Sequence, residues 1–146
     1  MIRRAIPGDA AALTEVIRAA YAPYAAQGLD LPPVDEGIAD DIRNNHVWVA
    51  VDGARVLGGI VLVLGETAHL ANLAVHPDGG GRGLGRALIG TVCDAARAAG
   101  FDRIALATHA GMTGTRALYA RLGWVETGQD GARVYMALQL NGKDTS

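Results

Sequence analysis

The chain has 146 residues, half of them hydrophobic and 19% charged, with a formal net charge of −2. Such a chain is long enough for one continuous core and too short for two ordinary domains, and its composition is far from that of a disordered segment. A pI near 6.0 gives no global basic field for a nucleic-acid partner, and Cys93, the sole cysteine, excludes an intrachain disulfide framework or a cysteine metal cluster.

The start, "MIRRAIPGDAAALTEVI", breaks its apolar runs with polar residues. No later segment approaches about 18 uninterrupted apolar residues, so neither a signal peptide nor a membrane span is expected and the protein reads as cytoplasmic. "MIRRA" predicts a short strand, and "PGDAAALTEVIRAAY" a helix with Asp9 as N-cap and Leu13, Val16, Ile17 and Ala20 at helical spacing. "APYAAQGLDLPPVDEG" mixes Pro, Gly and aromatic residues into a loop-rich arm that carries Tyr21 and Tyr24 near its start, before a short helix in "VDEGIADDIRNN". Residues 46 to 64 read as an antiparallel hairpin turning at "DG".

"AHLANLAVH" gives a further strand, stopped by Pro77 and the glycines behind it. "LGRALIGTVCDAARAAG" then carries Leu84, Leu88, Ile89, Val92 and Ala96 on one helical stripe and ends at Gly100. "FDRIALAT" is a strand, "TGTRALYARLGW" a helix ending at Gly123, and "WVETG" and "ARVYMALQL" a final strand pair around the turn "QDGA". "NGKDTS", residues 141 to 146, reads as a loose tail of a single domain spanning 1–146. The expected fold is α/β of the α+β type, a mixed, largely antiparallel central sheet flanked by helices.

Between that strand and the helix after it, the chain reads "VHPDGGGRGLG", with five glycines in the seven residues from Gly79 to Gly85. A helix N-terminus has unpaired amides and a partial positive charge, so a glycine loop feeding one is suited to an oxyanion such as phosphate. Arg82 and Arg86 add nearby positive charge. A Walker loop fails because "RA" follows Gly85 where Lys and Ser or Thr are needed, and no frame of GxGxxG closes on glycine. A third motif, the pyrophosphate loop written (Gln/Arg)-x-x-Gly-x-(Gly/Ala) after Val-x-Pro, is the one that "GGRGLG" after "VHP" resembles.

Over almost its full length the sequence resembles the GCN5-related N-acetyltransferase family. "LAVHPDGGGRGLGRALI" is similar to its cofactor motif, and "ALYARLGW" to its second signature, in which a Tyr precedes Gly-Phe by four residues. The resemblance implies acetyl-CoA, or a similar acyl-CoA, as donor. Its pyrophosphate would lie on the amides of Gly80, Gly81, Arg82, Gly83, Leu84, Gly85 and Arg86, and its pantetheine along Leu73, Ala74 and Val75. The acceptor would be an amine of a small molecule or peptide, and Tyr119 would protonate the departing thiolate. An amphipathic-helix Tyr packed in the core is the other reading of Tyr119.

Three positions depart from the family pattern: Gly80 replaces the leading Gln or Arg, Met112 a common Asn, and Ala71 a Glu that commonly serves as base. Strand alternation puts His69 on the face of position 71 unless a bulge intervenes, and Asn72 on the opposite face as a structural residue. His69 is therefore the first candidate base, with a solvent-exposed His as the alternative; Glu66, His46 and His109 are weaker candidates. Tyr21 and Tyr24 are candidate acceptor contacts, Cys93 reads as a small core residue, and Trp48 and Trp124 as core or sheet-face residues. An acyl-CoA-binding regulatory or protein-partner domain with little transferase activity is the alternative function. Homodimerisation is open, and no metal site is expected.

Overall fold

The computed structural model describes residues 1–29 and 36–140. The expected tail, 141–146, and the Pro-containing centre of the arm, 30–35, lie outside them. Seven strands form one sheet: β1 (Ile2–Arg4), β2 (His46–Asp52), β3 (Arg55–Leu64), β4 (Ala68–Val75), β5 (Arg103–His109), β6 (Val125–Asp130) and β7 (Arg133–Gln139). Their order is β1-β2-β3-β4-β5-β7-β6, and every neighbouring pair is antiparallel except β4 with β5. The mixed, largely antiparallel sheet expected from the sequence is the one observed.

Among the described residues four helices cover the sheet: α1 (Ala10–Ala26), α2 (Ile38–Asn44), α3 (Leu84–Ala98) and α4 (Thr113–Arg121). On one face Leu13, Val16 and Ile17 of α1 bury against Val47, Val49 and Val61. On the other, Leu88, Ile89 and Val92 of α3 bury against Ile60, Leu62 and Ile104. Each such side chain contributes about 1.5–3 kcal/mol by leaving water, so the alternation of Val49, Ile60, Val61 and Leu62 fixes which face each helix can occupy. Among the described residues no helix is long and apolar enough to cross a membrane.

Two local expectations are corrected. Asp9 does stand at the N-cap position of α1, but its carboxylate bonds no helix amide. It accepts instead from the Ile6 amide at 2.8 Å and from Arg3 at 2.7 Å, tying β1 to the start of the helix. Tyr21 and Tyr24 are not on a loop, because α1 continues through Pro23 to Ala26. Proline removes only one amide donor there, and the alanine-rich turns around it favour helix.

The strand pair that sets up the site is β4 and β5. They share only two ladder positions, Ala68 with Ile104 and His69 with Ala105, so from Leu70 onward β4 has no ladder partner on its β5 side. On its other side β4 follows β3 with one irregularity. Val61 pairs with Asn72 and Leu62 with Leu70, leaving Ala71 as an extra, bulged residue.

Candidate active site

The bulge at Ala71 changes which side chains share a face. His69 lies opposite Val63 and Asn72 opposite Val61, and both valines pack with the α1 core. His69 and Asn72 therefore point to the same side of the sheet, the side of α1. Simple alternation put them on opposite faces; one extra residue reverses the parity. On that side Asn72 Oδ1 accepts from the Tyr21 hydroxyl at 3.5 Å.

Past the bulge, the unpaired edge of β4 opens into a cleft of about 260 Å³. Leu73, Ala74 and Val75 line one wall, Tyr21 and Tyr24 a second, and Gly85 of α3 with Thr115 and Leu118 of α4 a third. The structure thus brings together six of the residues singled out from sequence: Tyr21, Tyr24, Leu73, Ala74, Val75 and Gly85. Gly114, Thr115 and Leu118 were missed as lining residues. Their signal was available, since they recur at three- and four-residue spacing on the helix carrying Tyr119.

The glycine loop folds as a 3-10 turn at Pro77–Gly79, then a segment with Gly81 and Gly83 at φ +79° and +73° before α3 begins. Those left-handed conformations cost a residue with a side chain about 1 kcal/mol or more, which accounts for glycine at these two positions. Gly85 is glycine for space: a Cβ there would meet Leu118 Cδ2 at 3.1 Å. The Gly80 amide bonds the Pro77 carbonyl at 3.1 Å and is therefore removed from the expected cradle. From Gly81 to Arg86 the amides have no acceptor among the described residues, since the first helical bond runs from the Ala87 amide to the Gly83 carbonyl at 3.0 Å.

The outer side of the loop is clasped to the β2–β3 hairpin. Arg55 bonds Asp78 at 2.6 Å, and Arg82 bonds Asp52 at 3.0 Å. The Arg82 side chain is thus engaged by a carboxylate, whereas exposed Arg86 makes no ion pair among the described residues.

Tyr119 does not line the cleft. It is 3% exposed, its ring centroid 5.3 Å from that of Trp124, on the helix face next to lining residues Thr115 and Leu118. Burial, with smaller contributions from the neighbouring Tyr21 and Cys93, pushes its hydroxyl far above the ordinary phenol range. Burial foremost, and then Tyr24, pushes Tyr21 up to about 12. Both phenols hold their protons at neutral pH. His69 is half-buried, and burial first, then the positive charge of Arg133, lowers its pKa from 6.5.

The weaker candidates separate from this group. His46 shares the α3 side of the sheet with Trp48, two strands from β4, and its Nδ1 accepts from Arg4 at 3.2 Å. Arg4 also lies 4.7 Å over the half-buried Trp48 ring. Glu66 is exposed in the β3–β4 turn, and His109 Nδ1 accepts from the Gly111 amide at 2.9 Å. Cys93 is a core residue of α3, pushed up by burial to about 11, and Trp124 is buried with its indole N–H unpartnered among the described residues. No cluster of three metal-binding side chains occurs among the described residues.

A model of the acetyltransferase (GNAT) family matches residues 13–124. Among curated proteins, N-acetyltransferase 8B of Rattus norvegicus is 31% identical over 107 residues, 68% of this chain and 48% of that protein. The chain therefore spans about half the length of the curated relative it matches. The fold is similar to that of the PaiA N-acetyltransferase of Thermoplasma acidophilum in complex with coenzyme A, at TM-score 0.83 and 18% identity over 95% of this chain and 98% of that one. It is also similar to the ribosomal-protein-S18-alanine N-acetyltransferase of Escherichia coli, at TM-score 0.78 and 23% identity over 100% and 98%. A third similar structure is yncA of Salmonella typhimurium with acetyl-CoA, at TM-score 0.76 and 23% identity over 100% and 96%. With the family match spanning both the glycine loop and the Tyr119 helix, the chain belongs to the GNAT acetyltransferase family.

Proposed function

We propose that the chain transfers an acetyl group from acetyl-CoA to an amine of a small molecule or peptide by direct attack. The observation that carries this reading is the run of unpartnered amides from Gly81 to Arg86 at the mouth of a cleft whose β4 wall lacks a strand partner. Such amides at a helix N-terminus suit a pyrophosphate, with Arg86 able to add charge. The free edge of Leu73, Ala74 and Val75 suits the amides of a pantetheine arm. When bound, acetyl-CoA supplies the activated acyl group.

An alkylammonium has a pKa near about 10.4 and no lone pair while charged, so attack requires removal of a proton. His69 is the group we assign to that removal, directly or through water. Its depressed pKa keeps the imidazole neutral and able to accept at neutral pH. Tyr21 and Asn72, on the same side of the sheet, orient the amine: the phenol donates to Asn72 and keeps its oxygen lone pairs for an N–H. Tyr119 and Tyr24 complete the set. We assign Tyr119 the proton for the leaving thiolate, because burial keeps its hydroxyl protonated at neutral pH and its helix also carries the cleft-lining Thr115 and Leu118.

A domain that binds acyl-CoA without transfer is the second reading, and Ala71 in place of a carboxylate favours it. Calorimetry with acetyl-CoA, on wild type and Gly83→Glu, followed by thiol release over an amine panel, separates the two. Binding lost in the variant together with amine-dependent thiol release supports transfer. Binding without release supports the second reading, and no binding by folded wild type overturns both. We further propose a cytoplasmic location, in keeping with a lone, buried, unbridged cysteine.

A further inference from the structure

The face of the sheet that carries His69 is unevenly covered by helices among the described residues. Ile104 and Leu106 of β5 and Val134 and Met136 of β7 belong to the core under α3 and α4. By alternation the intervening residues point the other way, and the ladder sets Ala105 beside Ala137, Ala107 beside Tyr135 and His109 beside Arg133. On that side α1 and α2 pack over β2, β3 and β4, and no residue of β5 or β7 belongs to their core. The β5–β7 half of this face therefore has no helix over it among the described residues.

Charged residues mark both ends of this strip. Arg103 lies at one end of β5's open side and Arg133 lies across from His109 at the other. At about 3.3 Å per residue the strip is about 20 Å long. Both arginines are exposed, and neither makes an ion pair among the described residues. Asp130, the ladder partner of Arg133, and Asp102, next to Arg103 in sequence, stay unpaired with them. Between the arginines the floor is made of Ala105 and Ala107 of β5 with Ala137 and Tyr135 of β7 beside them. The strip also runs into the site: Ala105 is the ladder partner of His69, and His69 shares its side of the sheet with Asn72 and Tyr21.

We infer that this strip is the acceptor-docking surface and that its occupant is a peptide whose N-terminal amine is followed by acidic residues. Charge complementarity selects it. The guanidinium groups hold side-chain carboxylates while the amine is presented at His69, and a small amine would use only a fraction of the strip's length. This rests on the acetyl-transfer reading above.

The test compares C-terminally amidated peptides Ala-Glu-Glu-Gly, Ala-Gln-Gln-Gly and Ala-Lys-Lys-Gly as acceptors for acetyl-CoA. The wild-type kcat/KM should favour the Glu peptide over the Gln peptide by at least about tenfold, with Lys last, and the ratio should shrink with added salt. The Glu/Gln ratio should fall in Arg133→Gln and in Arg103→Gln, and Arg133→Glu should move the preference toward the Lys peptide. Taking the ratio within each variant cancels any effect of Arg133 on His69.

Equal kcat/KM for the Glu and Gln peptides in wild type overturns the inference while leaving acetyl transfer intact. So does a preference that survives both arginine substitutions. Better turnover of 4-aminobutyrate than of the Glu peptide overturns the choice of a peptide. Acetyl-CoA that binds but reaches no amine at all, in a panel including these peptides, overturns the transfer reading itself.

Discussion

The side chain of Leu13 fills the space above Gly59 so closely that a Cβ on Gly59 would stand 2.3 Å from Leu13 Cδ1. Helix α1 approaches β3 at this point over bare backbone. The same helix carries Tyr21 and Tyr24 into the cleft two turns later. Gly59→Ala should therefore push the helix outward, lowering stability by about 1–3 kcal/mol and weakening acceptor use together. Thermal unfolding and KM for the acceptor check it; a variant with wild-type Tm and KM would show that α1 yields without consequence.

Gly83 separates conformational from electrostatic effects. Gly83→Ala introduces a methyl at φ +73° with nothing within 4 Å, so it should cost about 1–2 kcal/mol of stability and leave most of the acetyl-CoA affinity. Gly83→Glu adds a negative charge beside the unpartnered amides and should abolish measurable binding while the far-ultraviolet dichroism stays native. Calorimetry on the pair distinguishes them.

For His69 the sign follows from the cause of its shift. Burial, and then the charge of Arg133, disfavour the imidazolium, so the neutral base persists to lower pH than for a free imidazole. The acid limb of kcat/KM should fall below pH 6.5. Arg133→Gln removes one of the two causes and should move that limb upward, and His69→Gln should remove it altogether. An unmoved limb in His69→Gln would assign the proton to another group.

Two phenols are distinguished by one atom each. Tyr119→Phe should lower kcat by about 10²–10⁴-fold if its hydroxyl protonates the thiolate. It should change stability little, because that hydroxyl makes no hydrogen bond among the described residues. Tyr21→Phe breaks the bond to Asn72 and should act chiefly on acceptor KM. The converse pattern, with kcat falling only in Tyr21→Phe, would transfer the proton-donor role to the residue that lines the cleft.

Much of this was legible before any coordinates. The hairpin at 46–64, the stripe of Leu88, Ile89 and Val92, and the glycine loop each depend on local periodicity or turn chemistry, which a sequence carries directly. The bulge at Ala71 does not: it comes from how β3 and β4 slide past one another, and no residue type there announces it. For that reason simple alternation puts Asn72 on the opposite side from the one it occupies. The span of α1 exceeds the expected one because the mixture of Pro, Gly and aromatic residues after Tyr21 reads as a loop-rich arm, although a proline costs a helix only its local bonds. The loss of the Gly80 amide follows from a 3-10 turn at Pro77 that the glycine run conceals. The cleft walls from α4 depend on a tertiary approach, Gly85 to Leu118, between segments far apart in the chain.

Because β4 and β5 share only two ladder positions, the sheet behaves as two plates riveted at one corner. Anything that pairs with the free edge of β4 acts as a splint across the seam and stiffens the plates together. Between Leu70 and Val75, the amides that face away from β3 should then exchange fast in the free protein and slow sharply when acetyl-CoA is added, while those bonded to β3 stay protected throughout. The far strands β1 and β2 should be unchanged, so the seam itself reports occupancy without any chemistry taking place.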